Sequence, residues 1–304
     1  MVSTPRVAVL MAAFNGSQWI GEQIDTILSQ SGVSVELFIS VDLCEDDTFQ
    51  KCRQRAGASP RIHLLPYGGR FGNAAANFFR LLAEVPFEGF DLVALSDQDD
   101  HWLPGKLQRA ADQLGAQQCE AYSSNVTAFW PDGRTRLLHK AQSQVAYDHF
   151  FEAAGPGCTY VFTKALAEFI KVRLTAEASA LSGITLHDWY LYALVRASGR
   201  AWFIDAEPGL RYRQHAANAV GANVGARSLL TRYRRIQTGW WFGQIRLIAG
   251  LVGCPPLLQR QLDGGRRGLV WLAMHARQCR RRPRDRLYFA ALCLARLFSR
   301  STPR

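Results

Sequence analysis

The sequence predicts an α/β protein built around a mostly parallel sheet, and two observations carry this prediction. Continuous apolar runs of strand length recur at VAVLMAAF (7–14), VELFISVD (35–42) and DLVALS (91–96). Segments with a helical spacing of apolar residues separate these runs. Unbroken apolar strands that alternate with helices are typical of βαβ units, in which parallel strands are buried on both faces.

Each element follows from the local sequence. Asn15-Gly16 predicts a turn after the first strand, and Ser17 is expected to cap the helix that follows. A second helix is expected to begin near Asp47-Thr48. The remaining sequence predicts a strand at 61–65, a helix at 73–84, a strand at 121–130 with a turn at PDGR, helices at 163–174 and 188–199, and strands at 201–205 and 209–214.

Composition limits the possible classes of protein. The 304 residues suffice for one large domain or two small ones, and the 48% hydrophobic content argues against disorder. Seven scattered cysteines include no CxxC pair, which predicts reduced thiols rather than disulfides or a zinc site. The N-terminal apolar run is too short for a signal peptide, and no stretch is long enough for a spanning helix. We therefore expect a cytoplasmic protein.

The net charge of +11 is unevenly distributed. Residues 200–304 contain 20 Lys and Arg against 4 Asp and Glu, whereas residues 1–199 contain 16 against 21. Such a basic C-terminal part predicts a polyanionic partner, a lipid surface or a nucleic acid.

The most informative segment is DLVALSDQDDHW (91–102), where a predicted buried strand ends in Asp97, Asp99 and Asp100. Neighbouring carboxylates repel each other and are costly to dehydrate unless a positive charge lies among them. Mg²⁺ or Mn²⁺ carrying a phosphorylated ligand fits best, because hard cations prefer carboxylate oxygens. A solvated acidic turn or a helix N-cap cluster is the alternative.

Polar side chains also follow the other predicted strands. Asn15 and Asp42 stand at the carboxyl ends of the first two strands, as Asp97 does at the fourth. In parallel sheets ligands bind at this edge, so we expect the three residues to line one site. The first strand is followed by AAFNGSQW and lacks GxGxxG, which argues against a nicotinamide or flavin site.

Seven motifs in a fixed order carry a resemblance to a known family. They are AAFNG (12–16), ISVDLCEDDT (39–48), GNxxxNF (72–78), SDQDDHW (96–102), GCT (157–159), HDW (187–189) and YRQHxxNxVG (212–221). This series resembles the inverting family 2 glycosyltransferases, which have the GT-A fold, and is most similar to their bacterial rhamnosyltransferase-like branch. The resemblance covers about residues 5–225 and implies a Rossmann-like central sheet flanked by helices. One departure is VDLCED (41–46), where the family usually has a sequence close to DDGSTD.

The resemblance implies transfer of a sugar from a dTDP- or UDP-activated donor to an acceptor hydroxyl. Asp99 is the candidate ligand for Mg²⁺ or Mn²⁺, Asp97 is expected to meet the ribose, and Asp42 is expected to accept a hydrogen bond from a pyrimidine base. The residues expected to bind the nucleotide sugar are Ala13, Phe14, Asn15, Asp42, Asn77, Asp97, Gln98, Trp102 and Arg213.

A row of cations is expected on one predicted strand. Arg211, Arg213 and His215 alternate along it, so all three should share one face, which suits a pyrophosphate. His215 is also a candidate metal ligand.

The acceptor side is expected around the HDW motif. Asp188 is the candidate general base, since inversion needs one carboxylate opposite the leaving group and burial beside Trp189 would raise its pKa. His187 is the alternative base, because imidazole titrates near neutrality. By resemblance, Gly157 and Cys158 form the wall beneath the acceptor, and His187 and Trp189 also contact it. Cys158 is not expected to act as a nucleophile.

The chain is predicted to divide into a catalytic domain, 1–225, and a basic amphipathic helical region, 226–304. Leu229, Tyr233, Ile236 and Trp240 have helical spacing with arginines between them, and LYFAALCLARLF (287–298) follows an Arg-rich run. Helices lying in an anionic membrane interface are one hypothesis. The alternatives are helices packed on the catalytic domain with a solvated Arg face, or a nucleic-acid surface, for which no motif is present.

The predicted function is therefore metal-dependent, inverting transfer of a sugar, L-rhamnose first, to a saccharide or lipid-linked acceptor in surface polysaccharide assembly. Transfer of glucose, galactose or another hexose is the alternative, as is a catalytically silent nucleotide-sugar binding protein. The setting expected is the cytoplasm, with the inner face of the plasma membrane as a peripheral site.

Overall fold

The computed structural model describes residues 4–215 and 239–298. Most strands and helices predicted from the sequence are present, with ends that shift by one or two residues. The strands are β1 (Arg6–Ala13), β2 (Ser34–Val41), β3 (Ile62–Leu64), β4 (Leu92–Ser96), β5 (His101–Trp102), β6 (Ala121–Ser124), β7 (Val126–Phe129), β8 (Thr135–Leu138), β9 (Val161–Thr163), β10 (Trp202–Asp205) and β11 (Leu210–Arg213).

The helices alternate with the strands in the first half of the chain and dominate its end. They are α1 (Ile20–Leu28), α2 (Thr48–Ala58), α3 (Ala74–Glu84), α4 (Lys106–Ala116), α5 (Asp148–Phe151), α6 (Lys164–Ala176), α7 (His187–Ala197), α8 (Trp240–Val252), α9 (Pro256–Asp263), α10 (Gly265–Met274), α11 (Ala276–Cys279) and α12 (Pro283–Arg296).

A seven-stranded sheet in the order β10-β6-β9-β4-β1-β2-β3 forms the centre. All of its neighbouring pairs are parallel except those made by β9, which runs antiparallel to β4 and β6. The mostly parallel sheet predicted from the apolar runs is thus confirmed. A second, four-stranded sheet in the order β5-β11-β7-β8 lies beside it.

Two features differ from the sequence prediction. The run 121–130 is divided between the sheets at Asn125, whose backbone N–H donates to Asp205 O and whose side chain donates to Ala206 O. The predicted cap at Ser17 is wrong, because Trp19 occupies the N-cap position of α1 and the Ser17 N–H donates instead to Asp46 Oδ2.

The C-terminal helices pack against the catalytic core. One buried cluster contains residues of β1, α3 and α7 together with Ile245, Leu258, Leu272 and Phe289. Arg281 is also buried there, where its guanidinium donates to Ala153 O and lies 3.5 Å from Asp148. The predicted boundary at 225/226 and the helical pattern of Leu229, Tyr233 and Ile236 lie outside the described residues. Within the described ranges, no helix combines the length and apolar character needed to cross a bilayer.

Candidate active site

The carboxyl ends of β1, β2 and β4 meet at one edge of the large sheet. Ala13 is the last residue of β1 and pairs with Val41, while Met11 pairs with Ser96 of β4. The residues that follow these strands therefore emerge side by side, and this register brings the segments that carry Asn15, Asp42 and Asp97 to the same edge.

Three carboxylates crowd together after β4. Asp99 and Asp100 are both buried, and Oδ2 of Asp100 has no hydrogen-bond partner among the residues that the structure describes. Burial and the charge of Asp99 raise the pKa of Asp97 and of Asp100 well above the usual range of a carboxyl group. The charge of Asp188 acts on Asp97 in the same direction. A positive charge placed among these groups would relieve the repulsion that they exert on one another.

His215 reaches Asp99 from the end of β11. Its Nε2 lies 2.8 Å from Asp99 Oδ2, and its ring stacks on Trp19 with centroids 3.9 Å apart. An imidazole nitrogen and a carboxylate oxygen are common metal donors, so this pair fits the metal-binding role predicted for both residues.

A second group of possible metal ligands lies deeper in the same part of the site. Among the residues that the structure describes, ligand atoms of Asp97, Asp100 and Cys158 lie within 4.8 Å of one another. Carboxylate oxygens predominate, and the unpartnered Asp100 Oδ2 is available to a cation or to water. The chemistry of these side chains therefore fits Mg²⁺ or Mn²⁺.

Arg213 supports the aspartate loop. Its Nε donates to Asp99 O at 2.8 Å, and its guanidinium forms an ion pair with Glu22 at 2.7 Å. The three residues of the predicted cation row therefore have different surroundings. Arg213 and His215 both contact Asp99, whereas the Arg211 side chain is exposed.

The loop after β1 is fixed to the aspartate loop by one side chain. Gln98 Oε1 accepts from Phe14 N at 2.8 Å, and its Nε2 donates to Phe14 O at 2.7 Å. A Cβ at Gly16 would lie 2.2 Å from the Gln98 amide, so the path of this side chain requires glycine there. The Phe14 side chain itself is half exposed and can serve as a wall for a ligand.

Asp42 organises a second loop at this edge. Its carboxylate accepts hydrogen bonds from Leu43 N at 2.7 Å, Phe71 N at 3.0 Å and Gly72 N at 2.9 Å. Nearby, the buried Asn77 donates to Ser40 O at 3.0 Å and so ties α3 to the end of β2. Both residues shape the edge at which a nucleotide is expected, and Asp42 already has three amide donors.

The segment that departs from the family pattern is held by contacts of its own. Asn15 N donates to Cys44 Sγ at 3.2 Å, while Asn15 Oδ1 accepts from Glu45 N at 2.9 Å. Asn15 has a φ of +46°, a left-handed conformation that asparagine tolerates better than most residues. The altered side chains thus still connect the first two loops. The partly exposed Tyr67 covers this region and stacks on Phe49 at 3.8 Å.

Asp188 lies at the first turn of α7. Its Oδ1 accepts from Trp189 N at 2.8 Å, and burial raises its pKa to about 6. The positive charge of Lys140 acts in the opposite direction on this pKa. The charge of Asp188 also contributes to the raised pKa of Asp97. A carboxylate with a pKa near 6 is ionised at neutral pH and is a stronger base than an exposed aspartate.

His187 lies against the turn that contains Gly157. Its ring stacks on Phe78 at 4.1 Å, and a Cβ at Gly157 would lie 2.2 Å from its Nε2. That nitrogen is buried without a hydrogen-bond partner, and burial lowers the pKa of His187 to about 3. The ring is therefore neutral at physiological pH, and with this low pKa it is a much weaker base than Asp188, which favours Asp188 as the base.

Comparison with known proteins agrees with this geometry. Residues 5–181 match the family model described as glycosyltransferase like family 2. The chain is 39% identical over 290 residues to the dTDP-rhamnosyl transferase RfbG of Shigella flexneri, which covers 95% of this chain and all of that protein.

The chain belongs to glycosyltransferase family 2. It is also 26% identical over 159 residues to a putative teichuronic acid biosynthesis glycosyltransferase, TuaG, of Bacillus subtilis, a match that covers 52% of this chain and 61% of that protein.

Solved structures show that this family 2 chain has the GT-A fold. TarS of S. aureus, residues 1–349 in complex with UDP-GlcNAc, superposes with a TM-score of 0.60 at 11% identity, covering 96% of this chain and 89% of that one. The mannosyltransferase PcManGT of Pyrobaculum calidifontis, in complex with GDP-Man and Mn²⁺, superposes with a TM-score of 0.53 at 17% identity, covering 99% and 77%.

Three predicted site residues of this glycosyltransferase lie in the interior. Cys158 is fully buried, and burial raises the pKa of its thiol well above the usual range, so it stays protonated. Trp102 packs in the core with Lys106 Nζ 3.6 Å from its ring centroid. Trp189 is also buried, and its Nε1 donates to His149 O. These three side chains therefore pack behind the residues that line the site.

Two lysines of the site were not expected from the sequence. Lys106 is buried at the start of α4 with its Nζ unpartnered, and burial lowers its pKa to about 7. The sequence points to Lys106 only through its position on the buried face of α4, which otherwise carries Leu107, Ala110 and Leu114. Lys140 lies in an irregular segment, where no periodicity could have pointed to Asp188.

Proposed function

We propose that this family 2 glycosyltransferase transfers L-rhamnose from a dTDP-activated donor to a saccharide or lipid-linked acceptor, with inversion at the sugar carbon. The observation that carries the choice of sugar is the 39% identity to a dTDP-rhamnosyl transferase along the whole length of that relative. The proposed setting is surface polysaccharide assembly in the cytoplasm.

The donor is proposed to lie across the carboxyl edge of the large sheet. Ala13, Phe14 and Asn15 supply main-chain groups and an apolar wall on one side of the base. Asp42 and Asn77 hold the facing loops, while Asp97 lies where the ribose is expected. Gln98 fixes the distance between the base side and the diphosphate side through its two bonds to Phe14.

Asp99 and His215 are proposed to hold Mg²⁺ or Mn²⁺. Such an ion acts as a Lewis acid and neutralises charge that develops on a departing diphosphate. Arg213 keeps Asp99 in position by donating to its carbonyl oxygen. These contacts support a donor site in which the charged groups are already aimed before the nucleotide arrives.

Asp188 is proposed to remove the proton from the attacking acceptor hydroxyl. The raised pKa favours this role, because the group is ionised at neutral pH but accepts a proton more readily than an exposed aspartate. Gly157 allows the His187 ring to approach, since a Cβ there would lie 2.2 Å from its Nε2, and the neutral His187 is proposed as an acceptor contact.

A thermal-shift panel of nucleotide sugars tests the donor. Ligands that bind only the folded state raise the melting temperature by mass action. We expect the largest Mn²⁺-dependent rise with dTDP-L-rhamnose, and loss of the metal-dependent part in Asp99→Asn. A larger rise with UDP-glucose or UDP-galactose would replace rhamnose by another hexose. Binding without any acceptor-dependent turnover would indicate a silent nucleotide-sugar binding protein.

A further inference from the structure

The outward face of α12 is apolar although water reaches it. Leu287 is 74% exposed, Tyr288 60% and Leu294 44%, and Phe298 just beyond the helix is 86% exposed. Leu287 and Leu294 are seven residues apart, which is two turns of the helix, and so share one face, opposite the buried Phe289 and Cys293, with Tyr288 at its edge. Exposed apolar residues are ordinary when scattered, but an aligned row marks an interaction surface.

Helix α10 widens this row. Val270 and Met274 are exposed on its outer side, at 39% and 73%. A shallow hollow lined by Arg266, Arg267, Val270, Leu297 and Phe298 joins the two helices, and Arg266 Nη2 donates to Leu297 O at 2.9 Å. The exposed residues of α10 and α12, with Phe298, are called the α10–α12 face below.

Cations surround this face. Arg266 and Arg267 on α10, Arg277 on the short α11 and Arg284 on α12 are exposed. The carboxylate of α12, Asp285, already lies 3.7 Å from Arg280 and 3.8 Å from Arg284. Across residues 239–298 the sequence has eleven arginines and two aspartates. Apolar side chains inside a cationic rim match the two layers of an anionic bilayer, headgroups outside and acyl chains within.

We infer that the α10–α12 face binds an anionic lipid bilayer by partial immersion. The packing of these helices on the core does not oppose this, since only their inner sides are used there. A second copy of this chain fits less well, because a symmetric contact would bring arginines against arginines without acidic partners. A nucleic acid would leave the apolar centre of the face unused.

The biological meaning of this inference rests on the proposed function. An enzyme bound to the membrane would meet a lipid-linked acceptor at the surface where the lipid carrier lies. Membrane binding itself does not depend on the identity of the sugar. The test is therefore separate from the donor panel.

Sedimentation of the full chain with vesicles tests the inference. We expect binding to phosphatidylcholine vesicles that contain phosphatidylglycerol, little binding to phosphatidylcholine alone, and weakening by salt. Removing one arginine charge should weaken binding about fivefold, so Arg267→Ala combined with Arg284→Ala should weaken it about 25-fold. Leu287→Glu combined with Leu294→Glu should reduce binding at least as much, because both side chains would have to enter the bilayer.

Matched controls are available on helices outside the α10–α12 face. Val172 on α6 is 66% exposed, and Arg53 on α2 is exposed, so Val172→Glu and Arg53→Ala change equivalent groups elsewhere. Both should bind vesicles like the unaltered chain, and every variant should keep the donor-induced thermal shift. Absence of anionic-lipid binding by the unaltered chain, or equal losses in the controls, would overturn the inference. A dimer that Leu294→Glu converts to a monomer, without vesicle binding, would assign the face to self-association.

Discussion

The donor edge and the acceptor side of this active site are built by different means. At the donor edge, Asp42 accepts three backbone amides and Gln98 bonds twice to Phe14. On the acceptor side, Asp188 accepts one amide of its own helix, and His187 has an unpartnered buried nitrogen. Many hydrogen bonds therefore fix the loops of Asp42 and Phe14 at the donor edge, whereas Asp188 and His187 are held by burial with few hydrogen bonds. Substitutions in the two regions should consequently affect different steps.

The largest effect should come from Asp188→Asn. Loss of a general base lowers turnover about 10²- to 10⁴-fold. Donor binding should be retained, since among the described residues Asp188 has no hydrogen bond to a donor-edge loop, so kcat falls while the donor-induced thermal shift remains. Steady-state kinetics beside the thermal-shift assay measures both quantities.

The pH profile sharpens this result. Burial raises the pKa of Asp188 to about 6, so kcat/KM should fall as the pH is lowered through about 6, where the base becomes protonated. The raised pKa also means that ionisation of Asp188 disfavours the folded state at higher pH. Asp188→Asn should therefore have a higher free energy of unfolding than the unaltered chain above pH 6. An unchanged acid limb in the variant would exclude Asp188 as the titrating base.

An intermediate effect is expected from Asp42→Asn at the donor edge. One carboxylate oxygen is replaced by an NH₂ group that faces an N–H donor, which should cost about 1–2 kcal/mol of folding free energy. The loop at 71–72 should loosen and the KM for the donor should rise, with kcat nearly retained. Asp132→Asn, on an exposed turn where the carboxylate accepts from Arg134, is the matched control; it should lower the free energy of unfolding much less and leave the KM for the donor unchanged. A fall in kcat alone would contradict the division between the two regions.

The smallest effect should come from Cys158→Ala, where the two regions meet. The thiol is fully buried and kept protonated, so it serves packing rather than nucleophilic attack. Removing the sulfur should cost about 1 kcal/mol of stability for the small cavity and change kcat less than about threefold. Urea unfolding and initial rates check the two figures. A loss of turnover as large as that of Asp188→Asn would instead require a covalent step.

Sequence periodicity predicted most of the fold because each strand and helix of a βαβ unit has its own local pattern of apolar residues. Continuous apolar runs gave β1, β2 and β4, and the register of β1 with both neighbours then brings Asn15, Asp42 and Asp97 to one edge. The small second sheet was harder to foresee, although β7 and β11 lie within the predicted strands 121–130 and 209–214. Strands β5 and β8 are two and four residues long, too short for alternation to be distinguished from loop sequence.

The site was predicted less completely than the fold, because the sequence does not show in which direction each side chain points. Trp189 directly follows the proposed base Asp188, and Trp102 lies two residues after Asp100, yet both tryptophans are buried in the core. Lys140 acts on the pKa of Asp188 from an irregular segment, a long-range interaction that no local pattern predicts. Contacts across many residues, such as His215 with Asp99, could be predicted only through the family resemblance.

Gln98 gives the donor edge an unusual mechanical property. Its amide pairs with the Phe14 peptide as one strand pairs with the next, and so adds a rung to the ladder beyond the last residue of β1. The wall against which a base would rest and the loop that carries the acidic ligands therefore move as one body. In the proposed donor complex, a base that fits poorly against Phe14 would therefore disturb the acidic loop as well, and base selectivity would reach the diphosphate without direct contact between the two.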